Sequence, residues 1–231
     1  MPPANHHAAT AATLDGVLAL PASGEIHLWR ADLDRDDADP ACLNDDERAR
    51  AARFRTTELT RRFTAGRVFL RQTLALYLDC TPEALIFTYG PFGKPGLERA
   101  PFEFNLSHSQ NLAVLAVARE TVGVDIEHPD PDADLLGMAR QVMSPEELQA
   151  FEALPAPDQP PAFYALWTAK EALIKALGTG FSRDARTLHV GWGDRLEVSD
   201  GWRAFQLQAL GLSTPAAIAM AGRIGAVHLL T

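Results

Sequence analysis

Two helix-starting motifs constrain the fold of this chain more than any other feature. Residues 44–47 form a capping box, and residues 144–147 form another with proline at the first helical position, where its missing N–H costs nothing. Each motif predicts a short helix. Apolar spacing then predicts a longer helix after each one, over residues 58–78 and 162–177.

Strand patterns surround the two long helices. The predicted strands cover residues 25–30, 85–89, 102–108, 112–118 and 122–127. A proline-rich stretch, 155–161, is typical of a loop before the second long helix. Each long helix carries charges four residues apart, Arg67 with Arg71 and Glu171 with Lys175, which indicates duplicated halves.

The composition is that of an ordinary soluble globular protein. Of the 231 residues, 47% are hydrophobic and 22% are charged, and no apolar run is long enough to span a bilayer. The N-terminus lacks the basic and apolar segments of a secretory signal, so we expect a cytoplasmic protein whose two cysteines are reduced. The net charge of -9 argues against binding to nucleic acid or to an acidic membrane.

Arginines are nevertheless concentrated after the first capping box. Eight of them fall between Arg48 and Arg71, and arginine clusters bind phosphates through paired N–H groups. The candidates for this role lie on the two predicted helices, although most arginines on a helix face are simply solvated; they are Arg48, Arg50, Arg53, Arg55, Arg67 and Arg71. A basic patch in an acidic protein predicts a small anionic ligand.

The strand over 122–127 carries two carboxylates. The strand period of two puts Asp125 and Glu127 on one face, with Val124 and Ile126 directed into a core. Two neighbouring acids repel each other unless a cation lies between them, and hard oxygen ligands favour Mg²⁺. The alternative is an exposed strand face with two solvated acids, and the strand alone does not decide between them.

Lysine is scarce in this sequence, and its three occurrences are Lys94, Lys170 and Lys175. Glu171 and Lys175 lie one helical turn apart. They form either an exposed ion pair or part of a phosphate site in which Glu171 completes a cluster with the two strand acids. Lys94 lies in a rigid turn, and Lys170 faces either solvent or a partner protein.

A serine and a histidine end the strand over 102–108. Ser107 and His108 precede a turn, a position from which side chains are presented to a cleft. Histidine there can donate to phosphate or act as an acid or base, although a lone histidine is usually an ordinary surface residue.

Four motifs in order make the chain resemble the Sfp-type 4′-phosphopantetheinyl transferases, from about Arg48 to Phe181. They are GKP at 93–95, FNLSH at 104–108, VGVDIE at 122–127 and WTAKEA at 167–172. The half-length carrier synthases of bacterial fatty acid synthesis fit less well, because they hold one such half per chain. The resemblance implies an α+β fold with pseudo-twofold symmetry, each half a small antiparallel sheet packed on a long helix. Residues 1–118 would hold the nucleotide and phosphates of coenzyme A, and residues 119–231 the metal carboxylates and the catalytic helix.

The resemblance also implies a reaction. The 4′-phosphopantetheine group of coenzyme A would pass to a serine of an apo acyl or peptidyl carrier protein, as in a holo-[acyl-carrier-protein] synthase, with release of adenosine 3′,5′-bisphosphate. By position, Asp125, Glu127 and Glu171 would bind Mg²⁺, and Glu171, Lys175 and Asp125 would be catalytic. The residues assigned to coenzyme A are Arg50, Arg53, Arg67, Lys94, Ser107, His108 and Lys175. We expect a monomer, since both halves belong to one chain.

Two other functions would use the same residues. A Mg²⁺-dependent hydrolase of a nucleotide pyrophosphate would release phosphopantetheine to water, and a noncatalytic coenzyme A-binding protein would rely on the arginines. For the transferase, we expect the carrier to dock on an apolar patch over 138–148 that includes Met143 and Leu148. The sequence does not distinguish a carrier of fatty acid synthesis from one of polyketide or nonribosomal peptide synthesis.

Overall fold

Five α-helices and twelve strands make up the described part of the chain. The structure is a computed structural model and describes residues 13–14, 17–35, 38–190, 195–197, 202–207, 212 and 214–230. The helices are α1 Asp45–Ala51, α2 Thr57–Leu78, α3 Leu135–Val142, α4 Pro145–Glu152 and α5 Gln159–Leu177. The strands are β1 Thr13–Leu14, β2 Val17–Leu18, β3 Glu25–Asp32, β4 Phe87–Tyr89, β5 Pro95–Leu97, β6 Glu103–Ser109, β7 Leu112–Ala118, β8 Val122–Ile126, β9 Arg195–Glu197, β10 Trp202–Gln206, β11 Ala216–Ala221 and β12 Ala226–Leu230.

Two four-stranded sheets form the framework. The first has the order β12-β3-β7-β6, in which β12 runs parallel to β3 and the other neighbours are antiparallel. The second has the order β8-β11-β10-β9 and is antiparallel throughout. Two short ribbons, β1-β2 and β4-β5, complete the pairing in the described residues. The last strand of the chain therefore belongs to the sheet that its first half builds.

The sheets pack face to face, and each long helix covers one outer face. On β7, Val114 and Ala116 point into the apolar layer between the sheets, while Leu115 and Val117 pack under α2. This alternation is what a strand buried on both faces requires. In the second sheet, Ile218 faces the same inner layer, whereas its neighbours along β11 pack under α5. The layers run helix, sheet, sheet, helix, and the predicted pseudo-twofold α+β architecture is confirmed.

Helix α5 lies unusually close to β8. A Cβ atom at Gly123 would collide with the carbonyl oxygen of Ala172 and the amide nitrogen of Ala176, and would lie 2.9 Å from the Ala176 Cβ atom. These two backbone groups are one helical turn apart, so the backbone of α5 rests directly on the strand. Only glycine permits this approach.

Both capping boxes are present, and both place a buried glutamate beside a cation of the long helix. In the first half, Glu47 caps α1 and accepts hydrogen bonds from Arg67 and, at 2.7 Å, from Arg71 of α2. In the second half, Glu147 caps α4 and lies 2.5 Å from the Lys170 ammonium of α5. We call the Glu47–Arg71 and Glu147–Lys170 contacts the capping ion pairs.

Two orientations were considered for Lys170, toward solvent and toward a partner protein, and the structure shows neither. Its side chain is 0% exposed. Besides Glu147, its ammonium donates to the carbonyl oxygens of Val142, at 2.7 Å, and Ala185, at 3.0 Å. Because lysine donates three hydrogens and all three find acceptors, the charge is fully satisfied inside the protein.

One local expectation was wrong, and one helix was missed. The stretch 155–161 is not a continuous loop: a 3-10 helix spans Ala156–Asp158, and α5 begins at Gln159. Proline is tolerated in a first helical turn because its missing N–H has no partner there in any case. Helix α3 was not predicted at all, although Asp134 caps it through a hydrogen bond to the Gly137 amide.

A polar cluster lies between β3 and α2. The Trp29 indole donates to the Tyr77 hydroxyl at 2.8 Å, and this hydroxyl lies 2.9 Å from His27 Nδ1. Because the indole can only donate, the Tyr77 hydrogen is free for a neutral His27. Burial lowers the His27 pKa to about 4; the neighbouring His228 also lowers it, and Glu25 opposes the shift.

The first prediction concerns the contact between α5 and β8. Gly123→Ala should lower the free energy of unfolding by about 3 kcal/mol, since neither colliding group is the end of a flexible side chain. The matched control is Gly66→Ala in α2, where the added Cβ would lie 3.8 Å from Leu33, an ordinary contact. The control should be neutral or more stable by up to about 1 kcal/mol. Urea unfolding measures both, and wild-type stability of Gly123→Ala would contradict the close approach.

The second prediction concerns the capping ion pair of the second half. Lys170→Met should lower the free energy of unfolding by about 3 kcal/mol, because it leaves the buried Glu147 carboxylate without its cation. The double variant Lys170→Met/Glu147→Gln should recover part of this loss, since the remaining partners are neutral. A double variant less stable than Lys170→Met would contradict the pairing.

The third prediction is a pH dependence. Because the folded pKa of His27 lies below the ordinary value of 6.5, its contribution is complete above pH 6.5 and is lost as the pH falls toward 4. Between pH 7 and pH 5 wild type should lose on the order of 1 kcal/mol more than His27→Gln, after solvent screening. Urea titrations of both proteins at the two pH values measure this difference. Equal losses would show that His27 is not held neutral.

Candidate active site

Three acids, Asp125, Glu127 and Glu171, meet Lys175 where α5 crosses β8. Asp125 lies on β8, two residues after Gly123, and is 2% exposed. Glu171, 7% exposed, and Lys175 face it from α5, where one turn separates them. The Lys175 ammonium lies 2.5 Å from Asp125 Oδ1. The ion pair at this site is therefore largely buried, and the alternative of solvated acids on an exposed strand face does not hold for Asp125.

Strand β6 of the first sheet supplies hydroxyl groups to these acids. Ser107 Oγ donates to Asp125 Oδ1 at 3.0 Å and accepts from the Lys175 ammonium at 2.8 Å. Two residues further along β6, Ser109 Oγ lies 3.5 Å from Glu127 Oε2. The site is thus built from both halves of the chain, with β6 from one and β8 and α5 from the other.

Burial raises the pKa of all three acids, and the Asp125 charge raises it further in both glutamates. Burial raises the pKa of Asp125, and the Lys175 charge opposes this shift. Burial and then the Asp125 charge raise the pKa of Glu127. Burial raises the Glu171 pKa to about 7, with Asp125 and Glu127 adding to the shift and Lys175 opposing it. Such a cluster carries more negative charge than its one lysine neutralises.

Two oxygens in the cluster have unused acceptor capacity. Asp125 Oδ2 and Glu171 Oε1 are buried and lack a hydrogen-bond partner. Buried acceptors in an anionic cluster fit a hard cation, and Mg²⁺ prefers carboxylate oxygens. Among the described residues, no three His, Cys, Asp or Glu side chains are already arranged around a metal position. The cluster therefore fits Mg²⁺ in charge and donor type, while the set of three ligands stays a prediction.

Cationic groups continue the site along β6 toward α1. Partial burial lowers the pKa of His108, and the nearby charges of Lys175 and Arg50 lower it further. The Arg50 guanidinium lies 5.3 Å from the centre of the Phe63 ring. Arg50 and Arg53 line an open pocket of about 660 Å³. This row of cations suits an anion with more than one phosphate group.

Comparison with known proteins decides the family. Residues 28–120 match the family model described as 4′-phosphopantetheinyl transferase, N-terminal, and residues 121–216 match that of the 4′-phosphopantetheinyl transferase superfamily. The 4′-phosphopantetheinyl transferase HetI of Nostoc sp. is 41% identical over 170 residues, which cover 70% of this chain and 72% of HetI. The chain belongs to the 4′-phosphopantetheinyl transferase family.

Two further relatives are similar over shorter or more divergent stretches. A 4′-phosphopantetheinyl transferase of Bacillus subtilis is 30% identical over 166 residues, covering 70% of this chain and 73% of the relative. The 4′-phosphopantetheinyl transferase psf-1 of Bacillus pumilus is 38% identical over 138 residues, covering 59% and 58%.

Two cations assigned to coenzyme A already have protein partners in this transferase-family chain. The Lys94 ammonium donates to the carbonyl oxygens of Ala176, at 2.8 Å, and Val122, at 3.3 Å, and burial lowers its pKa. It thereby caps the C-terminal end of α5. Arg67 is paired with Glu47 through its Nε atom at 2.7 Å. Their contacts with phosphate stay predictions.

Two residues of the site, Asn105 and Ser109, were not among the predicted site residues. Asn105 Oδ1 accepts from the Val124 amide at 2.9 Å and links the edges of the two sheets, and Ser109 contacts the Glu127 carboxylate. Both share a strand face with Ser107, so the period of two along β6 was the signal that could have found them.

The expected docking patch needs a correction. Met143 is only 2% exposed and lies in the core under α5 together with Ala139. It is therefore unavailable to a carrier. Of the neighbouring apolar residues, Leu136 on α3 is exposed.

None of the described helices combines the length and apolar character that crossing a membrane requires.

Proposed function

We propose that the chain transfers the 4′-phosphopantetheine group of coenzyme A to a serine hydroxyl of an apo acyl or peptidyl carrier protein. The serine oxygen forms a bond to the phosphorus that bears pantetheine. The bond from that phosphorus to the bridging oxygen of the pyrophosphate breaks, and adenosine 3′,5′-bisphosphate leaves. The observation that carries this proposal is the buried contact of Lys175 with Asp125 and Ser107 opposite Glu171, in a chain of this family.

The cations act on the leaving group. Lys175, with Ser107 and His108 beside it, contacts the pyrophosphate and offsets the charge that develops as the bridging bond breaks. Arg50 and Arg53, which line the neighbouring pocket, hold the phosphates of the nucleotide. Lys94 and Arg67 would add further contacts to the phosphates of coenzyme A, although each already has a partner within the protein.

The acids serve the metal and the proton. Mg²⁺ would be held by Asp125, Glu127 and Glu171. Asp125 Oδ2 and Glu171 Oε1, which have no hydrogen-bond partner, would be two of the ligand atoms. When bound, Mg²⁺ supplies positive charge to the pyrophosphate oxygens. The proton of the carrier serine passes to Glu171 or to a water that Glu171 orients. We further propose that the protein works as a monomer, because one chain supplies both sides of the cleft. We also propose that it acts in the cytoplasm.

The fourth prediction tests this reaction. Asp125→Ala and Glu171→Ala should each lower the rate of transfer by about a hundredfold or more, since each removes charge that the reacting groups require. The measurement is intact-mass spectrometry of an apo carrier incubated with coenzyme A and Mg²⁺. Acyl carrier protein and peptidyl carrier protein are assayed in parallel to identify the partner class.

The outcomes separate three functions. A phosphopantetheine adduct on the carrier serine supports the transferase, whereas coenzyme A consumed without an adduct would indicate a hydrolase. Binding without turnover on any carrier would indicate a binding protein. Glu152→Ala, which removes an exposed acid of α4, is the matched control and should keep wild-type activity. Near-normal transfer by Asp125→Ala, with its fold verified by circular dichroism, would overturn the metal assignment.

A further inference from the structure

We propose that Lys175 is the counter-ion of Asp125 in the metal-free protein and gives up that position when Mg²⁺ and coenzyme A bind together. This inference rests on the proposed function and concerns how the binding of metal and of coenzyme A are coupled. It assigns Lys175 two positions, one on the protein carboxylate and one on the substrate phosphate.

The geometry places the ammonium in the anionic cluster. Lys175 Nζ lies 2.5 Å from Asp125 Oδ1 and 2.8 Å from Ser107 Oγ. Ser107 Oγ in turn lies 3.0 Å from the same carboxylate oxygen. One ammonium and one hydroxyl therefore occupy Oδ1, while Oδ2 on the same carboxylate has no partner.

The burial of Asp125 explains why a counter-ion is needed. Its side chain is 3% exposed, and a buried carboxylate is costly unless a cation or several donors neutralise it. The neighbouring charged groups, Glu127 and Glu171, are acids and make the need greater. Lys94, the other lysine near this end of α5, is committed to two backbone carbonyl oxygens. Lys175 is the cation that pairs with Asp125 among the described residues.

A metal ion and this ammonium compete for one carboxylate. Because both are cations, each weakens the binding of the other while they share Asp125. The pyrophosphate changes this relation, since it offers Lys175 a second anion close by. The side chain of Lys175 is 30% exposed, and lysine has a flexible stem and a compact charge, so the ammonium can move between partners. Metal and coenzyme A should therefore bind with positive coupling.

The fifth prediction uses Mn²⁺ as a probe, measured by electron paramagnetic resonance without a carrier. Without coenzyme A, Lys175→Met should bind Mn²⁺ about tenfold more tightly than wild type, because the competing ammonium is gone. Saturating coenzyme A should strengthen Mn²⁺ binding by a larger factor in wild type than in Lys175→Met. Mn²⁺ with coenzyme A alone is the blank. Arg140→Met, which removes an exposed cation of α3, should leave Mn²⁺ affinity unchanged.

Each other outcome is decisive. Mn²⁺ binding no tighter in Lys175→Met than in wild type would overturn the counter-ion role. If Lys175→Met strengthened Mn²⁺ binding by the same factor with and without coenzyme A, the effect would be one of long-range charge only. That result would overturn the exchange. Failure of wild type to bind Mn²⁺ even with coenzyme A would remove the proposed metal site and this role with it. The expected Mn²⁺ results without carrier modification would overturn the transferase function and leave the exchange standing.

Discussion

The site depends on the contact between the backbone of α5 and strand β8 at Gly123. Because the strand has no side chain there, the helix lies directly against it at Ala172 and Ala176. Asp125 follows two residues later on the same strand face, and Glu171 and Lys175 flank the contact on the helix. A side chain at position 123 would separate the two elements and widen the distances from Asp125 to Glu171 and to Lys175. A missing methyl group thus sets the geometry of an electrostatic site.

The two halves share one device and differ in what surrounds it. In each, a capping-box glutamate is buried against a cation of the long helix, Glu47 with Arg71 and Glu147 with Lys170. The halves share this capping ion pair but not the roles of the charges spaced four residues apart. Arg67 also pairs with the capping glutamate Glu47, whereas Lys175 pairs with Asp125 on strand β8. The pairs fix the short helices to the long ones at equivalent places. The pseudo-twofold symmetry of the fold is therefore retained in the capping ion pairs.

The acids of the candidate site and Lys175 all belong to the second half. One residue after the capping cation, α5 has Glu171 where α2 has Gln72, and five residues after it α5 has Lys175 where α2 has Leu76. Leu76 is 46% exposed and meets no cleft partner comparable to Asp125. The first half contributes Ser107 and its neighbours on β6 instead. Two similar units therefore make one asymmetric cleft. The second half supplies the acids and Lys175, and the first half supplies hydroxyl groups and further basic side chains.

Local patterns in the sequence predicted four of the five described α-helices, five of the twelve described strands and the central charges. Capping boxes and apolar periods mark helix starts and strand faces within a few residues, and strand alternation already put Asp125 beside Glu127. Contacts between distant segments were beyond such patterns. The burial of Lys170 depends on where Val142 and Ala185 fold, and the parallel pairing of β12 with β3 joins the two ends of the described chain. The set of metal ligands and the phosphate contacts of Lys94 stay predictions.

An anionic cluster of this kind opposes folding, and the structure holds it in place from outside. Asp125 has the same charge sign as both glutamates and raises the pKa of each, so α5 would move away from β8 if the acids alone set their distance. Lys170 anchors the helix on its far face, Lys94 holds its C-terminal end, and the Gly123 contact limits the approach. A cation that enters the cluster removes repulsion that these anchors already resist. Ligand binding should therefore stabilise the protein without large movement of α5, and the displacement should be confined to side chains such as Lys175.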